Sequence, residues 1–359
     1  MRVAIVGAGL AGLSCAHELE RHGISPVIYE RNSFIGEQHP HVSAILEIIS
    51  REQGDAIKYF KKKLALDIQP LGKVKRIIHY SPNKVKEIKG DFGYFFERDK
   101  SAQDVKNQLY SKLKNTQILF NEYGDYETLS KEYDYVLIAN GNNDYTEELG
   151  CWQEWMNTYV KGARVYGDFD PEALMVWINQ DYCKKGYAYL TPFDNKRAAL
   201  ALVVTDIDEA EVDFYWKLFL DTENIRYAIE EEFTLNHKSG FVYPHKIKNI
   251  YFAGNSAGVI DPFLGFGQMS ALATGVLAAR SIATGADYEK LLKSIVKSHL
   301  QQHEFRKAFD RANHLTYDII MSSVGFPGIR HILYKSPINV VRLGAAVLKL
   351  LPQKKGKNR

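Results

Sequence analysis

The chain has 359 residues, 45% hydrophobic and 25% charged, with a formal net charge of +3, a globular composition long enough for two cores or one large interleaved core. Basic and acidic residues alternate along most of its length, which excludes a nucleic-acid partner. Three widely spaced cysteines, Cys15, Cys151 and Cys183, suit neither a disulfide framework nor a zinc site, so no metal is expected and a reducing compartment is.

Residues 2–30 read as strand, glycine turn, helix and strand: the apolar run Val3 to Val6 stops at Gly7, helix-spaced apolar residues follow from Leu10 to Leu19, and Val27 to Tyr29 is a second buried strand. The first residues enter that strand at once, leaving no room for a cleavable signal, and no apolar run reaches the ~20 residues that cross a bilayer. A cytoplasmic protein is predicted. Residues 42–66 are predicted helical from the spacing of Val42, Ile45, Leu46 and Ile49, with Lys61 to Lys63 as a solvated face. Over 73–96 the period changes to that of antiparallel strands broken by turn residues. A helix over 102–113 and strands over 117–120 and 135–139 restore the first pattern. Strands are predicted over 164–169, 173–178, 187–190 and 198–204, with a helix over 208–221, then a strand over 248–253, a small-residue helix over 269–283, and helices alone beyond Asp287.

Gly7, Gly9 and Gly12 form G-x-G-x-x-G between a strand and a helix opening at Leu10 and Ala11. The first glycine permits the turn, the second lets a pyrophosphate approach the backbone, and the third allows close helix packing, with phosphate on the helix N-terminus. Glu30, followed by Arg31, ends the second strand, placed to accept bonds from ribose hydroxyls; an acid there disfavours a 2′-phosphate. FAD or NAD remain.

The stretch Gly254-Asn255-Ser256-Ala257-Gly258, followed by Asp261, Pro262, Gly265 and Gly267, decides between them. It resembles the flavoprotein superfamily that includes para-hydroxybenzoate hydroxylase, and within it the geranylgeranyl reductase group, whose G-D-A-A-G and P-x-x-G-x-G motifs it follows with Asn255 at the Asp position. Asn can still accept and donate bonds toward the ribityl chain, and the glycines let backbone N–H groups reach the flavin's pyrimidine edge. Tyr133 to Gly141 resembles the strand that ends beside the dinucleotide, and Arg98 resembles an arginine near the flavin. The resemblance spans residues 1 to about 285 and implies an α/β fold: a Rossmann-type FAD-binding domain (1–68, 97–145 and 244–286), an inserted, largely antiparallel substrate domain (69–96 and 146–243), and a C-terminal helical region (287–359).

The segment Tyr187-Ala-Tyr189-Leu-Thr191-Pro-Phe193 resembles the group's Y-x-W-x-F-P cavity motif in degenerate form, which makes Tyr187, Tyr189 and Phe193 candidate pocket walls; the same residues would serve as cross-strand packing. His41 lies where the family fold approaches the flavin ring and is a candidate proton donor, or a loop residue capping the next helix. Without a second strand-linked fingerprint, electrons would come from transiently bound NAD(P)H or from a ferredoxin-like protein. Residues 338–351 are apolar on nearly every face and precede a basic tail, which suits a helix packed over the flavin domain or one lying in a membrane interface. The resemblance implies hydride transfer between flavin N5 and an apolar, isoprenoid or lipid-like substrate. The alternatives are an aromatic-hydroxylase-like monooxygenase using NAD(P)H and oxygen, and a flavoprotein that only carries electrons.

Overall fold

A computed structural model describes residues 1–48, 53–262 and 265–310. The chain runs through β1 (Val3–Val6), α1 (Leu10–Arg21), β2 (Val27–Glu30), β3 (His41–Leu46), α2 (Ala56–Tyr59), β4 (Gly72–Ser81), β5 (Lys84–Arg98), α3 (Val105–Tyr110), β6 (Gln117–Phe120), α4 (Tyr126–Glu132), β7 (Tyr135–Ile138) and α5 (Asp144–Glu148). It continues through β8 (Trp152–Tyr166), β9 (Ala173–Trp177), α6 (Gln180–Cys183), β10 (Tyr187–Pro192), β11 (Arg197–Thr205), α7 (Val212–Thr222), β12 (Ala228–Val242), β13 (Lys246–Ile247), β14 (Ile250–Phe252), α8 (Gln268–Thr284) and α9 (Tyr288–Phe309). These elements form a mixed α/β fold of two sheets.

The first sheet has the order β13-β14-β7-β1-β2-β6, parallel at every pairing except β13 with β14. Its central strands are short apolar runs because both faces are covered: Ile5 and Leu137 pack toward α1 and α8, while Ala4, Val6, Val136 and Ile138 pack toward α4 and α5. Helices α1 and α8 touch through small residues. A Cβ on Gly275 would stand 2.1 Å from the Ala11 carbonyl oxygen, and Ser14 Oγ donates to the Leu272 carbonyl across the contact. Bulkier residues would hold the two helices apart.

The second sheet has the order β12-β8-β11-β10-β9-β4-β5-β3, antiparallel except where β4 meets β9. It curls back on itself: Thr191 Oγ1 of β10 donates to the Val42 carbonyl of β3 at 2.7 Å, although three strands separate them in the sheet order. On the face away from the first sheet, Trp177, Leu190, Leu200 and Leu202 pack against Trp216 and Phe219 of α7.

The structure corrects the expected helix over residues 42–66. Residues 41–46 form β3, bonded to β5 from His41 opposite Arg98 to Leu46 opposite Gly93, and helix begins only at Ala56; Ile49 lies outside the described residues. Val42, Ala44 and Leu46 join one core cluster and Ile45 another. A strand buried on both faces loses its alternation and then matches a helical spacing by coincidence. Lys61 to Lys63 are exposed, as expected. The strand expected at 164–169 is the end of a longer one, β8, and β12 was not expected at all. It is an edge strand carrying Glu230, Glu231, Glu232 and Lys238, and charge on an edge guards against further pairing while erasing the apolar signal. The apolar segment 338–351 lies outside the described residues, among which no helix is long and apolar enough to cross a membrane.

Candidate active site

Three glycines of the fingerprint meet three different demands. Gly7 has φ +102°, and a Cβ on it would lie 2.5 Å from the Ala139 carbonyl oxygen at the end of β7. A Cβ on Gly12 would lie 2.0 Å from the Gly7 carbonyl oxygen, so this position sets how closely α1 approaches β1. Gly9 differs: nothing stands within 4 Å of a Cβ there, because it faces a cavity of about 1080 Å³. It is also the N-cap of α1 and offers no side-chain cap. The first-turn amides are left for a ligand, with the helix dipole favouring an anion.

Glu30 is buried, and its carboxylate accepts from Ala8 N at 2.8 Å and Asn32 N at 2.9 Å. It fastens the glycine turn to the end of β2 and faces the cavity. A carboxylate has about four acceptor positions, so two bonds leave capacity for ribose hydroxyls.

Across the cavity, α8 begins the same way as α1. Its N-cap, Gly267, makes no side-chain cap, and the preceding turn is closed by Asp261 N to Phe266 O at 3.0 Å and Gly265 N to Asp261 O at 2.8 Å, with Gly265 at φ +73°. Close packing of α1 on α8 therefore brings two uncapped helix N-termini to one cavity. Asn255 Nδ2 donates to the Gly141 carbonyl at 2.9 Å, and Ser256 Oγ to Asn140 Oδ1 at 2.6 Å. These bonds join the turn after β7 to the turn after β14. Asn140 had no signal of its own in the sequence beyond preceding Gly141, and Ser256 none beyond its place inside the Gly254 to Gly258 motif.

Among the expected cofactor residues, all but Gly12 and Pro262 line this cavity, as do His41, Tyr187 and Tyr189. Phe193 does not. It packs beside the cluster around Val42 and Phe95, 5.4 Å beneath the Arg164 guanidinium, so the structure assigns it to packing rather than to the wall. His41 is the first residue of β3, not a loop residue, with its ring 6.4 Å from that of Tyr189. Burial, then the neighbouring Arg98 charge, push its pKa down to about 3. The ring is neutral at pH 7 and can offer one N–H, but not an imidazolium proton. Arg98 itself is paired with Glu37 at 3.0 Å.

The floor of the cavity is one face of the second sheet. Directly opposed residues in neighbouring strands share a face, and the registers give apolar rows such as Val176, Tyr189 and Ala201, or Tyr187, Val203, Val160 and Leu235. Helix α9 closes one side with Ile295, Gln302 and Phe305, held by buried Arg306, which donates to the Lys185 carbonyl at 2.8 Å. His79 also faces the cavity, and burial lowers its pKa to about 4. The sequence predicts helix beyond Asp287 but not that α9 reaches the site, and it gives no sign of His79, because only the fold brings them there.

The residues present fit a dinucleotide flavin: a side-chain-free cradle at Gly9, a ribose acceptor at Glu30, and a second helix N-terminus opposite.

A family model described as pyridine nucleotide-disulphide oxidoreductase matches residues 1–164. The chain superposes on a geranylgeranyl bacteriochlorophyll reductase-like protein from Thermoplasma acidophilum with a TM-score of 0.72 and 14% identity, covering 97% of this chain and 98% of the other. A triple mutant of the flavin-dependent brominase Bmp2 gives a TM-score of 0.67 at 14% identity, covering 96% and 94%. A 15-cis-phytoene desaturase from Synechococcus elongatus is 61% identical over 36 residues, which are 10% of this chain and 8% of that protein. These likenesses show that the chain shares the fold of these proteins, and the family model covers the part of it that carries the fingerprint.

Proposed function

We propose that the protein is a flavin-dependent reductase that transfers a hydride from FAD to a double bond of an apolar, isoprenoid-like substrate. The observation that carries this reading is the continuity of one cavity from the two helix N-termini to a largely apolar floor on the second sheet. Bound flavin supplies hydride chemistry at its N5 atom.

The chain's own residues bind, orient and exclude water. First-turn amides of α1 hold the pyrophosphate and Glu30 the adenosine ribose. Asn255 and Asp261 would hold the ribityl chain, and the N-terminus of α8 would favour negative charge at the pyrimidine edge. Val160, Val176, Val203 and Leu235 give the substrate a dry surface, and burial lowers the dielectric around the reacting atoms. Electrons reach the flavin from NAD(P)H or a ferredoxin-like protein.

The rival reading is a monooxygenase, favoured by the likeness to a flavin-dependent brominase. Anaerobic reduction of the purified flavoprotein separates the two. The reductase reading expects an alkene substrate to reoxidise the flavin without oxygen and air to do so slowly. Rapid reaction with oxygen through an oxygen adduct, with no response to alkenes, favours the monooxygenase. A colourless protein that FAD cannot reconstitute overturns both.

A further inference from the structure

The cavity floor is not uniformly apolar. Thr205 of β11 is paired directly with Thr158 of β8, and Thr158 directly with His237 of β12. The three side chains therefore form one row across three adjacent strands, and all three line the cavity. Thr205 is 1% exposed and Thr158 3%. Thr205 Oγ1, Thr158 Oγ1 and His237 Nε2 are each buried with no hydrogen-bond partner in the described structure. The next row along the same strands is Val203, Val160 and Leu235.

A buried polar atom without a partner is costly, and two hydroxyls and a ring nitrogen side by side on one cavity wall are costlier than apolar residues of the same shape would be. Valine at 158 and 205 would have continued the neighbouring apolar row without that cost. Opposed side chains in an antiparallel pair have Cβ atoms about 5 Å apart, so one ligand oxygen between Thr158 and Thr205 reaches both hydroxyls. His237 flanks it, its pKa lowered by burial, which outweighs the opposing Glu37 charge and is aided by Arg98, so at neutral pH a ligand meets a hydrogen-bonding ring and not a cation. The row also adjoins the expected flavin end: His237 Nε2 is 3.7 Å from where a Cβ on Gly265 would stand.

We infer that the Thr205–Thr158–His237 row recognises an oxygen function, hydroxyl or carbonyl, on an otherwise apolar substrate, so that the protein selects an oxygenated isoprenoid over the bare hydrocarbon. The inference rests on the reductase reading for the isoprenoid body but not for the row itself.

The test is calorimetric titration of the purified protein with geraniol and with myrcene, which share a ten-carbon skeleton and differ by the elements of water, only geraniol carrying a hydroxyl, alongside the flavin absorbance of the same sample. Geraniol is expected to bind about tenfold or more tightly than myrcene. Thr158→Val with Thr205→Val, which keeps the shape and removes both hydroxyls, abolishes that preference while myrcene affinity and flavin content hold; Thr158→Ser with Thr205→Ser retains it. Equal affinity for the two probes in the native protein, or a preference that survives the valine pair, overturns the inference and assigns the row to water. Loss of flavin with an intact geraniol preference would sink the cofactor reading and leave the row standing.

Discussion

At the fingerprint end of the cavity the groups offered to a ligand are backbone amides, presented by two helices whose contact depends on Ala11 and Gly275. On the floor they are side chains, contributed by β4, β9, β10, β11, β8 and β12, which enter the sheet from stretches of sequence more than a hundred residues apart. The first end tolerates almost no added atom. The second accepts changes of side chain that leave the sheet intact and alter what it binds. Substitutions at the first end are therefore expected to act on folding and cofactor retention together, and those at the second on substrate alone.

The largest effect is expected at Gly12. Its Cβ would stand 2.0 Å from a backbone oxygen that cannot move without opening the turn, so Gly12→Ala should lower stability by about 3 kcal/mol and empty the cofactor site. Thermal unfolding and flavin content are the measurements, and a stable, flavin-loaded variant would break the backbone half of the comparison. Next comes the ion pair that fixes α8 against α1. Glu18 is 2% exposed and accepts from Arg280 Nε at 2.7 Å while also pairing with Arg21. Burial opposes ionisation of Glu18, but the bonds and charges of Arg280 and Arg21 outweigh it and hold its pKa below the usual value. Arg280→Ala should cost about 2 kcal/mol, with Arg21 still in place. A folded pKa below the unfolded one means stabilisation fully present above the unfolded value of about 4.3 and lost as pH falls through the folded one. Denaturant midpoints of native protein and Glu18→Gln should thus differ at pH 7 and converge in acid. A gap that persists in acid would show that the carboxylate's charge is not what stabilises the contact.

The same contrast explains what the sequence disclosed. Gly7 and Gly12 are legible because steric demand allows one residue type there, with Gly9 at fixed spacing between them facing the cavity, and the parallel strands are legible because burial on both faces leaves unbroken apolar runs. Strand β3 was misread because Ile45 packs to one core and Val42, Ala44 and Leu46 to another, so its pattern carries both periods. The row of Thr205, Thr158 and His237 was invisible for a different reason. Each is an ordinary polar residue in its own strand, and the row exists only once three strands are in register. Phe193 shows the opposite error, since the resemblance to the Y-x-W-x-F-P motif implied a place on the wall, but β10 ends at Pro192 and Phe193 does not line the cavity.

Tyr189 and Phe193 turn that error into a test of the floor. Tyr189 lines the cavity with its ring 6.4 Å from His41, so Tyr189→Ala should lower kcat/KM about tenfold with flavin content unchanged. Phe193→Ala should do the reverse, losing about 1–2 kcal/mol of stability while kcat/KM stays near native. Equal kinetic losses at both positions would mean that the wall extends past the end of β10.

The smallest effect separates this chain from the family motif it resembles. Asp is the family's residue where this chain has Asn255, and restoring it would be expected to help if the position served the cofactor alone. Here, however, the amide Nδ2 donates to the Gly141 carbonyl at 2.9 Å, joining the turns after β7 and β14. A carboxylate has no proton to donate at neutral pH and would face that carbonyl oxygen with negative charge. Asn255→Asp should therefore weaken cofactor retention about fivefold, on the scale of one hydrogen bond, where the motif alone predicts tighter binding. Equilibrium dialysis of FAD at pH 7 and again near pH 4 distinguishes the two, since protonation returns a donor and should recover part of the loss. Tighter binding at both pH values would mean that Asn255 turns toward the ribityl chain when the cofactor binds and gives up its link to Gly141.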